Sequence, residues 1–149
     1  MPALRLTQRQ RTFMVAEVTE RAARKIEECT GDMGRCDDPG KLLKMHSELG
    51  PYVGLVRELR GTHGVQSVGL LRACACKALE EYRHSLQHEE DGLERLLSGE
   101  WDYCGDGSDE ERLEIEQNTR RTIDEYRGHV GVAAGVLLRA EDNSVAVAA

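Results

Sequence analysis

The sequence predicts an all-α protein, an antiparallel four-helix bundle whose third and fourth helices form a long hairpin, and three observations carry that prediction. The 149 residues are 32% charged and 40% hydrophobic but only 4% aromatic, which suits helices with solvated faces better than a sheet core of aromatic and β-branched side chains. Four segments place apolar residues at spacings of three and four between helix start and stop signals. Two patches of small residues, Ala73-Cys74-Ala75-Cys76-Lys77-Ala78 and Gly128-His129-Val130-Gly131-Val132-Ala133-Ala134-Gly135, flank a turn near Tyr103. Folded back antiparallel, they set Cys76 level with Val130 and Ala75 with Gly131, a seam where small side chains let two backbones approach closely. Interior glycines without such a seam would each cost about 1 kcal/mol.

The first helix is expected over about 7–30. Thr7 and Gln10 form a capping box, the stripe Val15, Val18, Ala22, Ile26 and Cys29 turns inward, and Thr30-Gly31 ends it. Asp38-Pro39 restarts the chain, with Asp as N-cap and Pro at the first helical position, for a second helix over about 38–60. Leu42, Leu49, Val53 and Val56 trace its predicted inner face, and Gly50-Pro51 predicts a kink or short break, because Pro removes a donor and clashes one turn back. Gly61-Thr62-His63-Gly64 turns the chain into a third helix over about 65–98, with Val68, Leu71, Ala75, Leu79, Tyr82, Leu86, Leu93 and Leu97 inward. A second capping box, Ser108 with Glu111, opens the fourth helix over about 108–141, carrying Ile115, Ile123, Tyr126, Val130, Ala134 and Leu137 inward; 142–149 is expected to fray. The length fits a single helical domain over 1–149.

The net charge of −7 gives no general attraction to phosphate backbones, and the arginines alternate with glutamates instead of forming a stripe, so nucleic acid is not expected as a partner. The longest apolar stretch, Val130 to Leu138, falls far short of the roughly 20 residues a bilayer requires, so no membrane partner is expected. The N-terminus lacks the apolar segment of a secretory signal, and five cysteines fit no familiar disulfide framework; mostly free thiols and a cytoplasmic location follow as expectations.

Candidate chemistry is sparse. Glu81 and His84 share a helical face, as in carboxylate-bridged di-metal bundles, but the second pair such a site needs is matched only by Glu125 and His129, four apart instead of three. His84 and His88 lack a third ligand and read as polar surface. Cys74 and Cys76 point some 200° apart on a helix, so they read as small buried residues of the seam and not as a shared metal or redox site. Cys29, Cys36 and Cys104 would gather at one end of an up-down-up-down bundle, beside Asp32, Asp37, Asp38, Asp102, Asp106 and Asp109. That acidic pole suits a hard cation or a basic partner, yet zinc lacks a fourth ligand there. The run Asp102 to Gly107 starts like a calcium loop and departs from it at Cys104 and Leu113. No nucleophile elbow, phosphate-binding loop or H-E-x-x-H motif occurs, so catalysis is unsupported and no cofactor is expected.

From Leu49-Gly50-Pro51-Tyr52-Val53 through Leu70-Leu71-Arg72-Ala73-Cys74-Ala75-Cys76-Lys77-Ala78-Leu79-Glu80-Glu81-Tyr82-Arg83, with Leu86 and Glu90 beyond, residues 49–90 resemble an N-terminal helical portion of the gamma-tubulin complex proteins. The resemblance implies lateral assembly in a microtubule-nucleating complex and carries over no catalytic residue. Family members are several times longer, and the likeness stops before Gly99.

The leading expectation is a non-enzymatic interaction or assembly protein that docks through its long hairpin, onto a protein partner or a second copy of itself. Trp101 and Tyr103, aromatics in a polar loop, are its candidate contact residues. The alternatives are a metal-binding or redox-sensing bundle using Glu81, His84, Cys29, Cys36 or Cys104, and a small regulatory or immunity-type inhibitor of a partner protein.

Overall fold

A computed structural model describes residues 3–31, 37–100 and 107–148, the last five as backbone only. The described residues form four helices: α1 (Gln8–Thr30), α2 (Pro39–Arg60), α3 (Val68–Ser98) and α4 (Asp109–Ala148). The protein is all-helical, as its composition predicts.

Three of the four starts follow from local chemistry. Before α1, Thr7 Oγ1 accepts from the Gln10 N–H at 3.2 Å, while Gln10 Oε1 accepts from the Thr7 N–H at 3.0 Å. Both halves of the capping box are therefore present. At α2 the Asp38 carboxylate accepts from Gly40 N–H at 2.9 Å, with Pro39 where its missing donor costs nothing. At α4 Ser108 Oγ accepts from Glu111 N–H at 3.2 Å. Gly31 closes α1 in a left-handed conformation, φ 58°, its N–H donating to the Glu27 carbonyl.

α2 runs through Gly50-Pro51 without the short break expected there as the alternative to a kink, and α4 continues past Glu141 to Ala148, where fraying was expected. One lost hydrogen bond at Pro51 is offset by the tertiary burial of Leu55 and Leu59 in the turns that follow.

The contacts divide the chain into two compact units, one of residues 1–78 with 132–149 and one of residues 79–131. In the first, Met14 and Val18 of α1, Leu55 and Leu59 of α2, Leu71, Cys74 and Ala75 of α3, and Val136 and Ala140 of α4 form one buried core with Leu4, Leu6 and Val65. The predicted inner faces of α1 and α2 hold in part: Val18 is fully buried, and Val15 and Val56 pack against the core. Ile26 is 43% exposed, and Leu42 and Val53 are each 48% exposed, while Met14 and Leu55 are fully buried. On α4, Ala133, Val136 and Ala140 are buried, and Ala134 and Leu137 flank them. A Cβ built on Gly131 meets nothing within 4 Å. Gly135 does sit against a neighbour, but the atom nearest its added Cβ is Gln10 Nε2 of α1, at 3.1 Å.

The N-terminal segment pairs with the α2–α3 turn: Leu4 and Val65 exchange backbone hydrogen bonds of 2.9 and 2.8 Å. This close pairing leaves no room at Gly64, where an added Cβ would lie 2.5 Å from Ala3 Cβ and 3.0 Å from the Ala3 carbonyl carbon. Gly64→Ala is therefore expected to destabilise the fold by about 2 kcal/mol, the order of an overpacked contact. Because backbone atoms also crowd the site, Ala3→Gly should restore only part of that loss in urea denaturation.

Within residues 79–131, α3 and α4 pack side by side. The Tyr82 ring lies 6.0 Å from Tyr126 and 4.7 Å from His129, centroid to centroid, and Arg127 Nη2 pairs with Glu90 Oε1 at 3.1 Å. Leu96 and Ile123 are buried there, whereas Leu97 is 58% exposed. Of the two adjacent leucines at the predicted core position, the inner one is Leu96.

Candidate functional site: a groove on the α3–α4 pair

A two-helix unit gives each helix only one neighbour, so part of each apolar stripe is left facing outward. Here that leftover surface forms a groove with a cavity volume of about 590 Å³. Leu93 and Leu97 of α3 and Ile123 of α4 supply its apolar floor. Glu90, Glu94 and Ser98 stand on the α3 side, with Arg120, Asp124 and Arg127 on the α4 side. A second depression of about 290 Å³ adjoins it through the shared Leu97 and is lined further by Leu96, Leu113 and Glu116. Leu97 and Leu113, 58% and 53% exposed, are the most open large apolar side chains among the described residues of this unit.

The two arginines of the groove are already engaged. Arg127 pairs with Glu90, and Arg120 pairs with Glu116 one turn earlier at 2.9 Å. Among the described residues no ion pair joins Glu94 or Asp124. The groove thus offers leucine surface flanked by two carboxylates whose charge is not offset locally. Leu93, Leu97 and Ile123 lie beside Glu94 and Asp124 on one surface.

Among the described residues no group of three or more His, Cys, Asp or Glu side chains is placed to hold an ion. Glu81 is half-buried, His84 is exposed, and His129 stacks on Tyr82 with its Nε2 3.7 Å from Glu125 Oε1. Cys29 is half-buried on α1. Cys36 and Cys104, like the proposed contacts Trp101 and Tyr103, lie outside the described residues, so the three-thiol grouping falls outside them too.

Cys74 is buried in the core and Cys76 is exposed, which bears out their opposed directions but corrects the expectation that both lie buried. Burial pushes the Cys74 thiol above its ordinary value; nearby Arg21 pulls it down and Glu17 pushes it up. A thiol held protonated in this way is a poor nucleophile. Thiol-reactive reagent should consume Cys76 rapidly and Cys74 only on unfolding, as read by peptide mass mapping. The folded thiol keeps its proton where the unfolded one has begun to lose it. The stability linked to Cys74 is therefore intact below the ordinary value of 9.0 and falls as the pH climbs past it towards the folded value.

One organising residue was not singled out by spacing. Arg11 is only 8% exposed, and its Nη1 donates to the carbonyls of Glu58, Leu59 and Gly61 at 3.0, 3.1 and 3.0 Å, while Nη2 donates to His63 O. The last turn of a helix leaves four carbonyls without intrahelical donors, and one guanidinium here satisfies that end of α2 and the turn beyond it. Glu58 completes the junction: its carboxylate accepts from the N–H groups of Gln66 and Ser67 and from Ser67 Oγ, at 3.0 to 3.2 Å, capping α3. The sequence does carry a signal for this, since Arg11, Met14 and Val18 share one face of α1 at spacings of three and four.

Among the described residues no helix is long and apolar enough to cross a membrane. Comparison with protein-family models, with curated protein sequences and with solved structures finds no match to this chain.

Proposed function

We propose that this chain is a non-enzymatic interaction or assembly subunit that docks a partner protein along its α3–α4 pair, arranged as an antiparallel hairpin within a four-helix bundle. The order of contacts supports the antiparallel arrangement. As positions on α3 rise from Tyr82 through Glu90 to Leu97, their neighbours on α4 fall from His129 through Arg127 to Leu113. The single observation that carries docking is the groove of about 590 Å³, with leucine on its floor and charge on its rims. Apolar surface of this kind, framed by polar groups, is what a protein interface buries.

Trp101 and Tyr103, which fall between α3 and α4 in the sequence, stay in the proposal as contact anchors, and free thiols at Cys74 and Cys76 support a cytoplasmic setting. Assembly within a microtubule-nucleating complex is a narrower form of the same proposal, carried by the resemblance of residues 49–90 alone.

Native mass spectrometry of the protein isolated from its own cells tests the reading. The expected result is a defined added chain that disappears when Leu97→Glu and Leu113→Glu are introduced together, with helicity by circular dichroism unchanged. Identical spectra for the two proteins, or a monomer carrying stoichiometric metal, would overturn it.

A further inference from the structure

Resting on the docking reading, we infer that the α3–α4 groove receives a basic amphipathic helix of a partner protein, whose leucine-like face covers Leu93 and Leu97 and whose lysines or arginines meet Glu94 and Asp124. Charge is the first argument. Residues 79–131 hold sixteen acidic and six basic side chains, whereas the remainder of the chain carries more basic than acidic ones. A second copy of this unit would set net negative charge against net negative charge, and so would an anionic lipid surface or a nucleic acid. A basic segment is attracted by the same field. Because Arg120 and Arg127 are already paired with Glu116 and Glu90, they leave Glu94 and Asp124 as the charges an incoming cation meets.

Shape is the second argument. Leu93 and Leu97 stand one helical turn apart, which matches apolar side chains repeating at three and four residues on a third helix. The two depressions share Leu97 and together follow α4 from Asp109 to Arg127, so the track is about 27 Å long and accepts a helix of about 18 residues. A helix seated there turns a pair that buries little of its own apolar surface into a three-helix bundle.

The test uses the full chain and a synthetic helical peptide of leucine and lysine, about 18 residues long, with leucines on one face. Two controls accompany it: the same pattern with glutamate for lysine, and a scrambled leucine–lysine peptide without an apolar face. Fluorescence anisotropy near physiological salt should show binding of the first and at least tenfold weaker binding of both controls. Glu94→Lys with Asp124→Lys should weaken the lysine peptide at least tenfold and strengthen the glutamate peptide, and Leu97→Asp should weaken both. Equal binding of the scrambled peptide, or affinity unchanged in the Glu94/Asp124 variant, would overturn the inference. Sedimentation of the protein alone separates the two levels of the argument. A dimer that Leu97→Asp converts to monomer keeps the docking reading and overturns the basic helix as occupant. A monomer indifferent to every peptide, with native mass spectra unchanged by the Leu97 and Leu113 substitutions, overturns both.

Discussion

Arg11→Met is expected to lower the unfolding free energy by about 3 kcal/mol or more, the largest effect of any single polar substitution in the described structure. Methionine keeps most of the packing volume but removes every donor, so the carbonyls of Glu58, Leu59, Gly61 and His63 lose the group they share. Leu59 sits in the buried core, and water reaches its carbonyl only if the end of α2 opens. Arg11→Lys should recover less than half of the loss, because an ammonium is a compact charge and cannot fork to acceptors on two sides as a guanidinium does. Urea denaturation followed by circular dichroism reads both values; a loss under about 1 kcal/mol for Arg11→Met would show that the α2 end is held by other contacts. The Arg11 junction and the Glu58 cap of Ser67 share the α2–α3 turn, so the double variant Arg11→Met with Glu58→Gln should depart from additivity.

Leu55→Ala is expected to cost about 3 kcal/mol, as large-to-small changes at fully buried sites do, through lost transfer energy and the cavity left behind. Val53→Ala, two positions away on the same helix, should change stability by no more than about 0.5 kcal/mol, since Val53 is half exposed and alanine is the better helix former. The pair is informative because periodicity read along α2 chose Val53 as inward. Equal costs for the two substitutions would mean that the inner face predicted from spacing is the one the folded protein uses.

Why spacing misjudged that face follows from the residues of α2. Leu42, Leu43, Leu49, Val53, Leu55, Val56 and Leu59 are spread round much of the helix, so several apolar stripes are nearly equivalent by pattern alone. The choice among them is made by what packs alongside, here Met14 and Val18 of α1 and Leu71 of α3, which share a core with Leu55 and Leu59. Leu96 and Leu97 pose the same ambiguity at the end of α3. Two adjacent leucines fit one stripe almost equally, and the structure buries the first and leaves the second on the groove. The candidate site therefore consists in part of residues that periodicity assigned to the core.

The caps of α1, α2 and α4 were legible. Thr7 with Gln10, Asp38 with Pro39 and Ser108 with Glu111 act within one turn of chain, and such interactions are fixed by sequence neighbours whatever the rest of the protein does. The opposed directions of Cys74 and Cys76 were equally local, set by helical geometry alone.

By itself, then, the sequence determined the helical class, the four helices and the caps of α1, α2 and α4, because composition, capping and 3.6-residue periodicity are properties of short windows. Tertiary structure alone decided which stripe of each helix is buried, how Arg11 closes α2 across a sequence separation of 47 or more, why Gly64 has no room for a side chain, and where leucines remain exposed as a groove. Those outcomes depend on neighbours distant in sequence, and no local pattern encodes the competition among nearly equivalent faces for a single core.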